Sequence, residues 1–272
     1  MSTGGRAHEF SDVDRTGRAA EFVHYLDERG SLEFMQLVEQ RIVDRLEVQP
    51  GGHYLDVGCG TGDDVRSLAG LVGPTGEVIG IDSSEAMIAE AGQRAEGSGL
   101  PVVFQQADAH HLPFADGAFD GCRVRRVLMH LADPQQAIRE MARVTRSGGR
   151  VVAFEPDWEL VYLDAEDRAV TRAVLKHFCD SIRNGWIGRQ LPRLFRRAGL
   201  VEVRVEPMTS TQTNFARWLA LFEIETHARR AQEGGLITAE GVGAWLAQLA
   251  QAGQEGAFLM GATSFLVSAR KA

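Results

Sequence analysis

Short apolar runs alternate with amphipathic helical patterns through the middle of this chain, and this alternation constrains the fold more than any other feature. The runs are continuously apolar, which is typical of parallel strands buried on both faces. Helical spacing at about 63–72, 84–96 and 134–146 separates them. The rhythm predicts an α/β fold, a parallel sheet with helices on both faces. The predicted strands are Tyr54–Val57, Val78–Ile81, Val102–Phe104, Phe119–Val124 and Val151–Phe154.

Outside this alternating region, the spacing of apolar residues is helical and predicts added helical layers. Residues 1–49 form a predicted N-terminal cap segment with two amphipathic helices that are split near Gly30. Residues 50–272 form the predicted main domain. Two helical insertions, at about 157–186 and 209–255, are too long for simple loops and would cover a ligand as a lid.

Composition and charge exclude several classes of protein. The 272 residues carry 37 acidic side chains against 29 Lys plus Arg, and a general nucleic-acid binder would show a clustered basic excess instead. No apolar run approaches the roughly 20 residues of a membrane helix, and residues 1–20 lack the apolar core of a signal peptide. Three scattered cysteines indicate neither a disulfide framework nor a zinc site. We therefore expect a cytoplasmic protein with no nucleic-acid partner, no membrane span and no metal; the adjacent His110 and His111 would point apart on a loop.

Glycine is concentrated in one segment. Nine of the 30 glycines lie between Gly51 and Gly80. Within it, residues 54–62 read YLDVGCGTG: a strand, the carboxylate of Asp56 at its end, and three glycines at alternate positions before a helix begins. Because glycine has no side chain to exclude a ligand, this turn lets a ligand approach bare backbone. A ligand is therefore expected to lie against this loop.

Two further acidic residues follow the next strands. Asp82 ends the second strand, twenty residues past Gly62, where a carboxylate can accept hydrogen bonds from ribose hydroxyls. Asp108 follows the third strand. Because open α/β sheets bind ligands at the carboxyl ends of their parallel strands, we expect Asp56, Asp82 and Asp108 to line one site.

The spacing of the loop separates two cofactor classes. Dinucleotide sites need the GxGxxG pattern so that a helix N-terminus faces the pyrophosphate. Here the third glycine is one place early, and Asp63 and Asp64 stand at the helix start. Two carboxylates there would repel a pyrophosphate but tolerate a ligand with an ammonium and a sulfonium. An NAD(P)-dependent oxidoreductase on the same fold is therefore the disfavoured alternative.

Four strings between residues 50 and 155 carry a family resemblance: LDVGCGTG, VIGIDSSEAMI, ADAHHLPFADGAFD and VLMHLADPQQAIREMARVTRSGGRVV. With them the chain resembles class I S-adenosylmethionine-dependent methyltransferases, closest to the group of ubiquinone and menaquinone methyltransferases and bacterial natural-product methyltransferases. The resemblance implies a Rossmann-like, seven-stranded, mostly parallel sheet with an antiparallel last strand and an added helical cap. The segments near 201–207 and 263–270 look like that family's closing hairpin.

The resemblance also implies a cofactor site, residue by residue. Asp56 and the loop glycines would hold the methionine part of S-adenosylmethionine, and Asp82 would hold its ribose hydroxyls. Met87 would pack on the adenine, and Asp108 would read the adenine amine. Arginine is less expected at position 125, and its role stays open. The predicted cofactor-binding set is Asp56, Gly58, Cys59, Gly60, Gly62, Asp82, Ser83, Met87, Ala107, Asp108, Ala109, Val124 and Arg125.

Each of these assignments has a structural alternative. Asp56 could cap the next helix, Asp82 could belong to a turn, and Asp108 could be a plain loop acid. Met87 could be an ordinary core residue, and a lone cysteine such as Cys59 usually behaves as a small hydrophobe.

Methyl transfer from a sulfonium is an in-line displacement, so the protein mainly has to orient the reactants and exclude water. A general base is optional. His130 and Glu155 are the catalytic candidates, although packing could explain His130, and a capping or solvated role could explain Glu155. The candidate acceptor-binding residues are Asp157, Trp158, Asn184, Trp186 and Arg189. The last three could instead form a plain helix connection, and Trp158 could be a core residue.

Together these features predict methyl transfer to a small, largely apolar or aromatic acceptor in specialised or quinone metabolism, with S-adenosylhomocysteine as product. A protein or lipid acceptor is the alternative within the class. A relative that binds the cofactor for cyclisation, decarboxylation or regulation is the alternative outside it. The acceptor atom and a homodimer formed through the N-terminal helices remain open.

Overall fold

The computed structural model describes residues 10–30 and 32–272. Within these residues seven strands form one sheet. Their bounds are His53–Val57 (β1), Glu77–Asp82 (β2), Val102–Gln106 (β3), Phe119–Arg125 (β4), Thr145–Leu163 (β5), Leu200–Gln212 (β6) and Met260–Lys271 (β7).

The sheet has the strand order β3-β2-β1-β4-β5-β7-β6. Strands β1 to β5 pair in parallel, whereas β7 pairs antiparallel with both β5 and β6. The predicted α/β fold, mostly parallel with an antiparallel last strand, is therefore confirmed. Its apolar runs are buried on both faces; Leu55, Val57 and Val124 have no exposed surface. The order reverses between β1 and β4, which opens a crevice at their carboxyl ends.

Helices cover both faces of the sheet. Within the described residues no helix combines the length and apolarity that crossing a lipid bilayer requires. The helix bounds are Val13–Thr16 (α1), Ala19–Gly30 (α2), Glu33–Leu46 (α3), Asp63–Val72 (α4), Glu85–Ala95 (α5), Pro134–Val144 (α6), Arg168–Ser181 (α7), Ile187–Arg197 (α8), Phe215–Phe222 (α9), Ile224–Glu233 (α10) and Ala239–Gln254 (α11).

Strand β5 is longer than the sequence pattern predicts. A helical piece was expected from about residue 157, but the strand continues to Leu163. It does so because Val161 and Leu163 pair with Ala262 and Met260 of β7, and β-branched and aromatic residues fit an extended chain. The helical parts that cover the sheet edge are therefore shorter than expected and begin at Arg168 and Phe215.

Residues 10–30, the N-terminal lid, lie across the carboxyl end of β2. The carboxylate of Asp14 accepts hydrogen bonds from the Ser84 hydroxyl at 2.6 Å and the Glu85 amide at 2.9 Å, at the start of α5. At the far end of the lid, Asp27 pairs with Arg94 at 2.7 Å. A carboxylate at a helix N-terminus is favourable, so these contacts fasten the lid over the crevice.

Candidate functional site

A cavity of about 840 Å³ opens at the carboxyl ends of β1, β2 and β4. Its volume lies within the roughly 300–1,000 Å³ of small-molecule sites. Acidic side chains and the glycine loop line one end. Arginines and aromatic rings from the lid, the loop after β4 and helices α7 and α9 line the other. The cavity thus has two chemically different ends.

The loop from Gly58 to Gly62 turns through left-handed backbone. Gly58 and Gly62 have φ angles of 74° and 75°. A Cβ on Gly58 would lie 2.2 Å from Cγ2 of Val127, and one on Gly62 would lie 2.6 Å from Cε1 of Phe104. The Gly58 amide also donates to the carbonyl of Ile81 at 2.7 Å. Both positions require glycine, for conformation and for space.

Asp82 ends β2 at the cavity wall. Its Oδ2 accepts a hydrogen bond from the Gly60 amide and its Oδ1 one from the Ser84 amide, each at 3.0 Å. Burial raises the pKa of Asp82, and these backbone hydrogen bonds oppose the rise. Each carboxylate oxygen has a second lone pair, so Asp82 can still accept hydrogen bonds from hydroxyls in the cavity. Ser83 and Ala107 line the cavity beside it, as the resemblance implies.

A buried ion network lies under the glycine loop. Asp56, only 2% exposed, faces Arg123, only 1% exposed, across an Nε–Oδ1 distance of 3.2 Å. Arg123 also contacts Glu39 and lies 2.8 Å from Asp64, which a second arginine, Arg125, approaches at 2.7 Å. Burial raises the pKa of Asp56, and the charge of Arg123 opposes the rise. Arg125 thus has a definite contact: it neutralises an acid at the start of α4.

The two carboxylates at the start of α4 are paired with arginines, which the sequence pattern does not show. Asp64 has its two arginine partners, and Asp63 contacts Arg66 and lies 3.5 Å from Arg94. These pairs offset the negative charge that was expected to repel a pyrophosphate. The glycine spacing therefore carries more of the distinction from a dinucleotide site.

Asp108 lines the cavity but is largely committed to a neighbouring histidine. It accepts hydrogen bonds from the His110 amide at 2.9 Å and from Nδ1 of the His110 ring at 2.6 Å. His110 Nε2 accepts from the Asp133 amide at 3.2 Å, so Nδ1 carries the proton. Partial burial raises the pKa of Asp108, but these hydrogen bonds outweigh it and lower the pKa.

Three apolar or thiol positions of the predicted cofactor set lie at this end of the cavity. Met87 packs on Phe22 of the lid, and Ala109 lines the wall. Burial raises the pKa of the Cys59 thiol, which fits a small hydrophobe rather than a nucleophile. Val124 is buried in the sheet core, and among the described residues the cavity lining has Val127 in its place.

The two catalytic candidates occupy different positions. His130 lines the cavity, and its ring stacks on Phe10 of the lid with centroids 5.6 Å apart. Glu155 is fully buried behind the wall, where its Oε1 accepts hydrogen bonds from the amides of Val127 and Leu128 at 2.8 and 2.7 Å. Burial raises its pKa to about 7. The geometry gives Glu155 a positioning role: it holds the loop after β4.

Of the five predicted acceptor-binding residues, the structure brings Trp158 into the cavity wall. Asp157 is fully buried and binds Arg189 at 2.7 Å, and Trp186 stacks under the Arg189 guanidinium. Asn184 Nδ2 donates to two main-chain carbonyls of the loop after β4, at 3.0 and 2.7 Å. These four side chains are not part of the described cavity lining, because each is engaged by a partner within the chain.

Two arginines that sequence reasoning missed, Arg29 and Arg126, line the cavity beside the aromatic rings of Phe222 and Trp158. Arg126 directly follows β4 and has a left-handed φ of 60°. Its guanidinium carbon lies 5.5 Å from the centroid of the Trp158 ring. Position at the carboxyl end of a parallel strand was the signal that could have identified Arg126.

Comparison with known proteins agrees with this geometry. A family model described as a methyltransferase domain matches residues 49–218. An uncharacterized 37.1 kDa protein in transposon Tn4556 of Streptomyces fradiae is 40% identical over 250 residues, which cover 91% of this chain and 71% of that protein. The demethylmenaquinone methyltransferase of Staphylococcus aureus is 34% identical over 194 residues, covering 66% of this chain and 80% of that enzyme.

A solved structure shares the fold. Phosphoethanolamine N-methyltransferase 2 of Haemonchus contortus, in complex with phosphomonomethylethanolamine and S-adenosylhomocysteine, has a TM-score of 0.62 at 18% identity. The match covers 100% of this chain and 61% of that one. From the family match over more than half its length and its relatives, the chain belongs to the class I S-adenosylmethionine-dependent methyltransferases, in the group that contains the menaquinone methyltransferases.

Proposed function

We propose that this chain transfers a methyl group from S-adenosylmethionine to a small-molecule acceptor in the cytoplasm. The observation that carries the proposal is one cavity that the glycine loop and Asp82 line together with a group of aromatic rings. S-adenosylmethionine, when bound, supplies an electrophilic methyl group on its sulfonium sulfur, and S-adenosylhomocysteine remains. The three free cysteines fit a reducing compartment.

The residues at the acidic end fit this cofactor. Two guanidinium groups, of Arg123 and Arg125, face three carboxylates, so the network keeps one net negative charge. Glu39 lines the cavity, and its Oε2 is buried with no hydrogen-bond partner in the described chain. An ammonium group could satisfy that oxygen. The bare backbone of Gly58 and Gly60 would lie against the methionine part.

The remaining assignments follow the edge of the sheet. Asp82 would accept hydrogen bonds from the ribose hydroxyls with its remaining lone pairs. Met87 would pack on the adenine, and Asp108 with the Ala109 backbone would read the adenine amine. The lid would close this end through Asp14, because its carboxylate already binds the start of α5.

The protein's contribution to the chemistry is orientation and exclusion of water. Correct orientation of two reactants can contribute roughly 7–11 kcal/mol in favourable cases. The lid and helices α7 and α9 enclose the cavity, and the acceptor would lie against Trp158, Phe178 and Phe222. Where the acceptor must lose a proton, His130 in the cavity wall would take it, whereas Glu155 would keep the loop after β4 in place.

The proposal is tested by a panel of ligands. We expect S-adenosylmethionine and S-adenosylhomocysteine to raise the melting temperature of the full chain, and NADH and NADPH to leave it unchanged, because a ligand stabilises only the state that binds it. Differential scanning fluorimetry provides the measurement. Stabilisation by a nicotinamide cofactor and by neither adenosyl compound would contradict the proposal.

Asp82→Ala tests the ribose assignment. We expect this change to weaken S-adenosylhomocysteine binding by roughly 10- to 100-fold, because hydrogen bonds to a charged group contribute about 1.5–3 kcal/mol each. Isothermal titration calorimetry gives the affinity. Asp116→Ala is the control, since the carboxylate of Asp116 is 80% exposed and outside the cavity lining. Equal affinities for Asp82→Ala and the parent chain would reject the ribose role.

A further inference from the structure

The end of the cavity that would receive the acceptor carries two cations in an apolar wall. Arg126 is held by its place directly after β4, where its amide donates to the carbonyl of Phe154 at 2.9 Å. Its φ of 60° is uncommon for a residue with a side chain, and the surrounding structure must stabilise it. This backbone conformation places the guanidinium beside Trp158 in the cavity wall.

Arg29 reaches the same end from the N-terminal lid. Its guanidinium carbon lies 5.2 Å from the ring centroid of Tyr25 and 6.0 Å from that of Phe222. Its Nη1 donates to the Tyr25 hydroxyl, while its Nε is buried and has no hydrogen-bond acceptor in the described chain. Phe222 in turn contacts Trp158 edge to face, with centroids 5.8 Å apart. The two arginines therefore share one aromatic surround.

Both arginines are half-buried, and neither guanidinium forms an ion pair with a carboxylate of residues 10–30 and 32–272, although cations withdrawn from water in proteins are usually paired. Burial and, to a smaller extent, the positive charge of Arg29 together lower the pKa of Arg126 to about 9, while Tyr25 and Glu155 act in the opposite direction. Glu155 is buried behind the wall, where its Oε1 accepts from two amides and its Oε2 has no hydrogen-bond partner in the described chain, so it acts on Arg126 through its charge and not through a hydrogen bond.

A third hydrogen-bond donor completes the group. The indole Nε1 of Trp158 is buried and without an acceptor in the described chain, although tryptophan N–H groups usually find a partner when buried. This end of the cavity thus combines guanidinium donors, an indole donor and aromatic faces. Arg29 Nε and Trp158 Nε1 lack acceptors in the described chain and, with the Arg126 guanidinium, they supply the hydrogen-bond donors that an oxyanion requires.

We propose that the acceptor carries an oxyanion, a carboxylate or a phosphate, on an aromatic or apolar frame, and that the guanidinium groups of Arg29 and Arg126 bind it. The inference rests on the proposed methyl transfer, because it names the acceptor class of the same cavity. Binding the anion at this end fixes the frame against Trp158 and Phe222. The nucleophile is thereby held at a set distance from the glycine loop.

The test compares three probes with one frame: naphthalene-2-carboxylate, 2-naphthyl phosphate and the neutral naphthalene-2-carboxamide. Calorimetry uses the full chain with S-adenosylhomocysteine present. We expect at least one anionic probe to bind about tenfold or more tightly than the amide, as for charge-assisted hydrogen bonds. The carboxylate and phosphate arms distinguish the two sources of the oxyanion.

Variants then assign the preference to residues. Arg126→Met and Arg29→Met should each reduce the anion-to-amide ratio to about twofold or less, and Arg126→Lys should restore part of it, since it keeps the charge but not the fork of donors. Arg172→Met is the matched control: Arg172 is an exposed arginine of α7 outside the cavity lining. Arg29 and Arg126 lie on separate elements. If one variant folds poorly, the other variant and the probe comparison in the parent chain still test the inference.

Equal binding of all three probes to the parent chain, or no binding of either anion at millimolar concentration, would overturn the inference. So would a preference that survives both methionine variants. Loss of the proposed function is a separate outcome: if the anion preference is present in titrations without S-adenosylhomocysteine and the chain binds no adenosyl compound, the anion site stands and the methyl-transfer proposal fails.

Discussion

Replacing Gly58 with alanine is expected to lower the free energy of unfolding by about 3 kcal/mol and to weaken S-adenosylhomocysteine binding at least tenfold. The left-handed backbone at Gly58, with φ of 74°, costs a residue with a side chain roughly 1–2 kcal/mol. The new methyl group would also stand 2.2 Å from Cγ2 of Val127, and overpacking of this kind typically costs about 1–3 kcal/mol.

The weaker binding of S-adenosylhomocysteine is expected because the alanine methyl group at position 58 displaces part of the cavity wall. Val127 belongs to the loop after β4, whose amides bind Glu155, and it lines the cavity. Relief of the clash displaces either that loop or the glycine loop, and both form the wall against which the cofactor would lie. Urea denaturation and calorimetry measure the two effects separately.

Gly199→Ala is the matched control for Gly58→Ala. Gly199 has a φ of 80°, but a Cβ there meets no atom within 4 Å, and the residue lies in the turn between α8 and β6. We expect a loss of about 1 kcal/mol from backbone strain alone and unchanged affinity for S-adenosylhomocysteine. If Gly58→Ala and Gly199→Ala gave equal losses, close packing on Val127 would be rejected as the reason for glycine at position 58.

That the glycine loop and Asp82 lie in one cavity could be predicted from the sequence, because the information is local. A strand, a glycine turn and a helix follow one another in YLDVGCGTG, and Asp82 ends the next strand at a fixed distance along the chain. Parallel strands bring these positions to one edge without further assumptions. The antiparallel β7 agrees with what the family resemblance implies.

The acceptor half could not be predicted in this way, because partners distant in sequence decide which side chains reach the cavity. Arg189 and Asp157 are both polar and near a strand end, but they bind each other. Asn184 is held by carbonyls of the loop after β4. Arg29 and Arg126 come from separate segments, and their shared surround appears only when the lid packs across the sheet.

The ion network under the glycine loop was also outside the reach of sequence patterns. Arg123 occupies a position within β4 where the pattern predicts an apolar residue, and in isolation a buried arginine is unfavourable. Glu39 from α3 and Asp64 from α4 approach it from two different helices. The network therefore joins the N-terminal cap, the glycine loop and the sheet, and its integrity bears on both stability and binding.

Arg123→Met is expected to lower the free energy of unfolding by about 3–5 kcal/mol, because it leaves buried carboxylates without their cation. Asp56 is 2% exposed and has Arg123 as its nearest cation, so among these carboxylates it loses the largest stabilising charge interaction. The methionine side chain fills similar space, which separates loss of charge from loss of volume. Urea denaturation of the two chains at pH 7 gives the difference.

The pH dependence of this loss has a definite sign. Burial raises the pKa of Asp56, and Arg123 lowers it, so removal of Arg123 raises the pKa further. A carboxyl group whose pKa is higher in the folded state than in the unfolded state binds more protons when folded, and stability then falls as pH rises through that interval. The deficit of Arg123→Met should therefore be smaller at pH 5 than at pH 8.

Two comparisons isolate the buried network as the cause. Arg146→Met removes an exposed arginine that lies 2.6 Å from Asp120, and it should cost no more than about 1 kcal/mol at either pH. The double change Arg123→Met with Asp56→Asn should recover part of the loss at pH 8, because it removes the uncompensated charge as well as its partner. A loss for Arg123→Met that is independent of pH, with no recovery in the double variant, would assign the role of Arg123 to packing and leave the charge of the network without influence on the fold.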